Sequence, residues 1–154
     1  VRITALQTRE ADRYNSALLI HMNSLDDPES AKTMIDASKR LALCGKECIR
    51  RHASLSPVPD LAAVDYVEWG LLYNEYSAWA DAQHDAFVAL SQGRTPHKTR
   101  VRELMDASER QRKVAEREGR NLLQAVGLKG QDLQRFMAAV QDATAAADWE
   151  PEAQ

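Results

Sequence analysis

Apolar and polar residues follow one another at helical spacing along nearly the whole chain. From about Ile3 to Leu25, Ala11, Leu18 and Leu25 recur every seven residues with Tyr14 and His21 between them, which marks one face of a helix. Asp26-Asp27-Pro28 should stop it, because proline disfavours helix in the residue before it. From about Glu29 to Leu55, Met34, Leu41, Cys48 and Leu55 recur at seven, with Ala37 and Cys44 at the intervening positions. That is the a/d pattern of a bundle helix. The segment Ser54 to Asp60 carries two prolines and reads as a rigid linker.

The third segment, Asp60 to about Ser91, has the densest pattern. Asp60 is a suitable N-cap. Tyr66, Trp69, Tyr73, Tyr76, Ala80, Gln83, Phe87 and Leu90 step by three and four, and Leu72 and Trp79 widen the face. Aromatic side chains bury the most area per residue, so this helix is expected to form the centre of the core. Trp69, Tyr76 and Phe87 should be largely buried. A second stripe, Val64, Val67, Leu71 and Ala78, lies on roughly the opposite side. Gly93 closes the segment.

Thr95-Pro96 opens a fourth helix in the cap-then-proline arrangement, running to about Val126. Its apolar face comprises Val101, Leu104, Met105, Ala115, Leu122, Ala125 and Val126, interrupted by Ser108, Gln111, Arg112 and Glu118. Gly127 should end it as a C-cap. A fifth helix, about Gln131 to Ala147, is expected to bury Leu133, Phe136, Met137 and Val140. Nothing reads as a strand. The expected fold is all-α: an antiparallel four-helix up-down bundle with a short fifth C-terminal helix. Residues 1–148 make one domain. Residues 149–154 form a frayed tail, with Trp149 the one tail side chain suited to docking.

Length and composition agree with this picture. The chain has 154 residues, 44% hydrophobic and 28% charged, with a net charge of −3, enough for one packed core. No apolar run approaches the roughly 20 residues of a membrane span. The first residues show no signal-peptide pattern. The expectation is therefore a soluble protein, cytoplasmic by preference. Charge is uneven. Residues 60–92 hold six acids and no Lys or Arg, while residues 94–120 hold nine basic and five acidic residues, a net of +4. Residues 30–55 hold six basic and two acidic residues, also +4. Solvated surface pairs account for this most simply. A basic stripe on the fourth helix is the other reading, but its interleaved acids repel a phosphate backbone.

The candidate chemistry is sparse. Cys44, Cys48 and His52 are spaced at four and four on one side of a helix. Thiolate and imidazole suit zinc or copper, although Cys44 and His52 lie about 12 Å apart along the axis. The plainer reading is a pair of core cysteines, since free cysteine behaves as a small hydrophobe. Asp81 and His84 form a D-x-x-H spacing that fits half of a carboxylate-bundle metal site, or an ordinary surface hydrogen bond. His21, Tyr14, Tyr73, Tyr76, Gln83, Gln111 and Glu118 place many polar groups on core faces. They make a structural polar layer, a wet cavity or a ligand site. No nucleophile elbow, P-loop or dinucleotide fingerprint occurs. Gly127–Gly130 reads as a turn between helices, and Gln131, Asp132, Gln134 and Arg135 make a poor groove-reading face.

The expected function is that of a non-enzymatic accessory or interaction bundle without a cofactor, forming homodimers or holding a protein partner. The alternative is a bundle binding a small ligand or a transition metal such as zinc through some of His21, Cys44, Cys48, His52, Asp81 and His84, with the last five as the metal candidates. No specific nucleic-acid binding is expected. A labelled duplex library titrated at several salt concentrations should show no sequence-dependent, submicromolar shift.

Overall fold

The computed structural model describes residues 1–55, 63–93, 97–125, 127–147 and 149–151, with backbone alone at 63–66. Five helices follow one another: α1 (Arg2–Asn23), α2 (Pro28–Ala53), α3 (Ala63–Ser91), α4 (His97–Ala125) and α5 (Gly130–Ala146). No strand occurs among the described residues. The Pro57–Pro59 linker, the Asp60 cap, the Thr95-Pro96 start, Val126, the side chains of Val64 and Tyr66, and residues 152–154 lie outside the described residues.

The helix ends follow from local chemistry. Asp27 caps α2 by accepting a hydrogen bond from the Glu29 N–H at 3.1 Å, with Pro28 in the first turn. The Asp-Pro step therefore starts α2, while α1 has already ended at Asn23, with the Ser24 N–H on the His21 carbonyl. At the far end of α2, Arg50, Arg51 and His52 occupy the last turn, where cations oppose the helix dipole. α4 ends on Gly127, which takes a φ of +90°. The Gly127 N–H bonds the Gln124 carbonyl and the Leu128 N–H bonds the Leu123 carbonyl, each at 3.0 Å. This is a Schellman closure, and it needs glycine at the left-handed position.

The packing is consistent with a helix bundle. α2 makes the broadest contacts, with α3 and with α1; α4 leans on α3 and α1, and α5 lies against α1. The core is built from Leu6, Tyr14 and Leu18 of α1, Met34, Leu41, Cys44 and Cys48 of α2, Tyr73, Tyr76, Ala80, Phe87 and Leu90 of α3, and Val101 and Leu104 of α4. Tyr14 meets Trp79 and Phe87 edge-on, with ring centroids 5.9 and 6.3 Å apart. α2 and α3 come together at Gly45, where a Cβ would fall 2.8 Å from Ser77 Cα. A side chain there would have to push the two backbones apart.

Several side chains depart from the periodic pattern. Trp69 is only half-buried against the core, whereas Tyr76 and Phe87 are buried. Leu55 is 51% exposed, because α2 ends at Ala53 and its last heptad position falls beyond the helix. On α4 the buried leucine near the C-terminus is Leu123, Leu122 being half-buried and Ala125 exposed. α5 buries no residue fully: Leu133, Phe136 and Val140 are half-buried, and Met137 is 45% exposed. Packed chiefly against α1 among the described residues, that helix loses only one side to its neighbour.

Phe87, 2% exposed beside Tyr14 and His21, gives the clearest core test. Phe87→Ala should lower unfolding free energy by about 3–5 kcal/mol, as for buried aromatics generally, measured by urea denaturation. A loss below about 1 kcal/mol would place this face outside the core.

Candidate functional site

Polar groups form a chain of pairs through the interior rather than one pocket. At one end, His21 of α1 is 1% exposed. Its Nδ1 lies 2.8 Å from Ser30 Oγ and its Nε2 2.6 Å from His97 Nε2. Ser30 has one hydroxyl proton and gives it to the Ser24 carbonyl at 2.8 Å. Its oxygen must then accept from His21 Nδ1–H. That leaves His21 Nε2 as an acceptor and His97 Nε2–H as the donor. The three residues tie α1, α2 and the start of α4 together.

The next pairs run along the core. Tyr14 donates to Gln83 Oε1 at 2.7 Å, and Ser108 donates to Asn15 Oδ1 at 3.0 Å. Burial raises the Tyr14 hydroxyl pKa well above the ordinary tyrosine value. Tyr73 and Thr4 share a hydrogen bond of 3.1 Å, and burial pushes Tyr73 up to about 12. Gln111 and Glu118 stay half-buried on α4. Most of the expected polar layer is thus satisfied pair by pair, as buried polar groups require.

Glu10 is the residue that the heptad reading passed over. It is 2% exposed, and its carboxylate accepts from Arg40 Nε at 2.8 Å. The same guanidinium bonds Glu150 at 2.8 Å and the Trp149 carbonyl, and stacks 5.4 Å from the Trp149 ring centre. Arg40 therefore fastens residues 149–150 over the α1–α2 seam. The signal was available: Leu6, Glu10, Tyr14 and Leu18 step by four along one face.

Of the five expected ligands, the two cysteines lie together, whereas His52 and His84 have ring partners of their own. Cys44 and Cys48 are both fully buried, with Sγ atoms 3.9 Å apart. The hydrogen-bonded Cys48 thiol and then burial drive the Cys44 pKa far up. His52 packs its ring on Tyr73, with centroids 5.4 Å apart, and crowds Gly70. His84 turns its Nδ1 to Ser38 Oγ at 3.2 Å. Ser38 gives its proton to the Ile35 carbonyl, so His84 donates here. Asp81 is half-buried on α3. Among the described residues, no group of three or more His, Cys, Asp or Glu converges as a metal site.

The surface offers little concavity. One open groove runs beside Trp149 and Glu150 along Leu43, Glu47 and Arg50; another lies between Arg2 and Leu6 of α1 and Ala143 of α5. In the first, Glu47 is held at a pKa of about 2, chiefly by its hydrogen bonds from Arg50 and also by Arg51. On α4, Arg112 pairs with Glu109 and Glu116 one turn either side. These basic stretches thus spend charge on pairs within their own helices. No described helix is long and apolar enough to cross a membrane. No family model, curated protein or solved structure matches the chain.

The histidine pair predicts a pH response. Desolvation and the facing His97 hold the His21 pKa below its ordinary 6.5. Below pH 6.5 the unfolded chain therefore binds this proton before the folded one does, and stability falls with pH. The urea midpoint should drop between pH 7 and 5.5, and His21→Gln should flatten that drop.

Proposed function

We propose that the chain is a non-enzymatic interaction bundle that pairs with a second copy of itself along the outer stripe of α3. The observation that carries this reading is the exposure of that stripe. Val67 is 56% and Leu71 50% exposed, and Ala78 and Ala82 follow them at helical spacing on the same side. α5, the element able to cover it, lies against α1 instead. Contiguous exposed apolar surface usually marks an interaction site, and two-fold dimers dominate homo-oligomers. The same reading takes α1–α4 as an antiparallel up-down bundle. The pairings of Glu10 with Arg40, Ser38 with His84, and Asn15 with Ser108 support it.

Glu68, Glu75 and Asp85 are exposed alongside the stripe. Across a two-fold axis they repel, and salt screens that repulsion. Light scattering over a range of protein concentrations should show a dimer that strengthens with salt. Leu71→Glu should leave helicity intact and give a 17 kDa monomer. A 17 kDa particle for the native chain at every concentration and salt would end the proposal.

The second reading, a metal-binding bundle, is favoured by one observation: the adjacent buried thiols of Cys44 and Cys48 with a buried tyrosine hydroxyl beside them. Zinc fits this pair poorly, because structural zinc takes four ligands and only two converge among the described residues.

A further inference from the structure

We infer that Cys44 and Cys48 form a two-coordinate site for a soft monovalent ion, copper(I), enclosed between α1, α2 and α3. This rests on the metal-binding reading and narrows it to one ligand pair and one class of ion.

The geometry suits the ion. The two sulfurs sit on successive turns of α2, 3.9 Å apart. Metal–thiolate bonds are about 2.3 Å, so two sulfurs on one ion lie up to about 4.6 Å apart. A small rotation about each Cα–Cβ bond spans the difference. Soft thiolates select copper(I) over harder divalent ions. Two-coordinate copper(I) is complete with two sulfurs, so the lack of a third convergent ligand among the described residues, which counts against zinc, does not count against it.

The surroundings supply a second, independent sign. The Tyr76 hydroxyl is buried and meets no acceptor other than the Cys44 thiol beside it, although a buried donor normally finds a full hydrogen bond. It lies beside both thiols, and burial together with those thiols holds its pKa well above the tyrosine range. A neutral thiol accepts weakly. A metal-bound thiolate is a charged acceptor, which makes a stronger bond. The loaded site would thus give that donor a stronger acceptor than the neutral thiol it meets in the metal-free core. Glu10 lies close to Cys44, but its charge is met by Arg40 at 2.8 Å. The binding step is an exchange without oxidation: two thiols and one copper(I) ion give a bis-thiolate complex of charge −1 and release two protons. Affinity should therefore rise about 100-fold per pH unit.

The test is an anaerobic titration of the full chain with copper(I) against a chromogenic copper(I) chelator. One ion per chain is expected, with two sulfur neighbours by X-ray absorption. Cys44→Ala and Cys48→Ala should abolish tight binding. Tyr76→Phe should keep one ion with affinity lower by about tenfold, the worth of a hydrogen bond to a charged group. Tyr73→Phe, whose hydroxyl is bonded to Thr4, should bind as the native chain does. Circular dichroism reports folding of each variant, and the absorption spectrum of the native chain stands whether or not they fold. A native chain that takes up no copper(I), or holds it through nitrogen or oxygen, overturns the site. If that chain nevertheless binds zinc, and loses it in His84→Ala, the metal-binding reading survives while this site falls. If it binds neither, both fall.

Discussion

The carboxylate of Glu10 sits inside the core, and a buried charge without a partner is far too costly to keep. Arg40 answers it, and much of the arrangement follows from that bond. It sets α1 against α2 at one register, since Glu10 and Arg40 must meet. Four residues on from Arg40, one helical turn, α2 brings Cys44 beside Leu6, whose carbonyl lies 4.0 Å from its sulfur. The remaining guanidinium nitrogens reach outward and hold Trp149 and Glu150. One ion pair therefore orders a helix interface and a chain end. Such pairs add little net stability compared with apolar packing, but removing one partner leaves an uncompensated charge.

Small residues do related work on the other side of α2. Gly45 lets α3 approach until Ser77 touches the helix backbone, and Ser38 fits beside His84 while returning its own proton to α2. Serine in a helix interior can satisfy itself on a carbonyl one turn back and still accept from a neighbour. Ser30, in the first turn of α2, gives its proton to the Ser24 carbonyl across the turn and likewise accepts from His21. The interior thus tolerates many polar atoms because nearly every one is paired, which leaves the Trp79 indole nitrogen without a partner and Tyr76 with only a thiol among the described residues.

Helical periodicity made the helices and most of the core legible in the sequence. Tyr73, Tyr76, Phe87 and Leu90 lie where their spacing puts them, because aromatics at three and four leave one side of a helix to bury. Three kinds of feature were hidden. The partner of Glu10 was hidden: its step of four with Leu6 and Tyr14 places it on the buried face, but Arg40 lies thirty residues away, and spacing within one helix cannot show that pairing. His97 stood at the start of α4 with nothing local to link it to His21. The half-exposed α5 was over-read because an apolar stripe fixes which side a helix buries, not how much of that side a partner covers. Of the candidate ligands, Cys44 and Cys48 were brought together, whereas His52 and His84 went to Tyr73 and Ser38.

The attachment of α5 has a consequence for motion. Its C-terminal carbonyls at Thr144 and Ala145 accept from Arg9 at 3.1 and 3.2 Å, and Arg40 holds the chain just beyond. Its N-terminal turns bury no side chain fully. The last helix is thus anchored at its exit and loose at its entry. Its opening frees no fully buried side chain of its own and breaks few long-range hydrogen bonds, so it belongs to the low end of the range of local unfolding energies. The amide protons of α5 will exchange with solvent in a step of their own, well before those of α2 and α3.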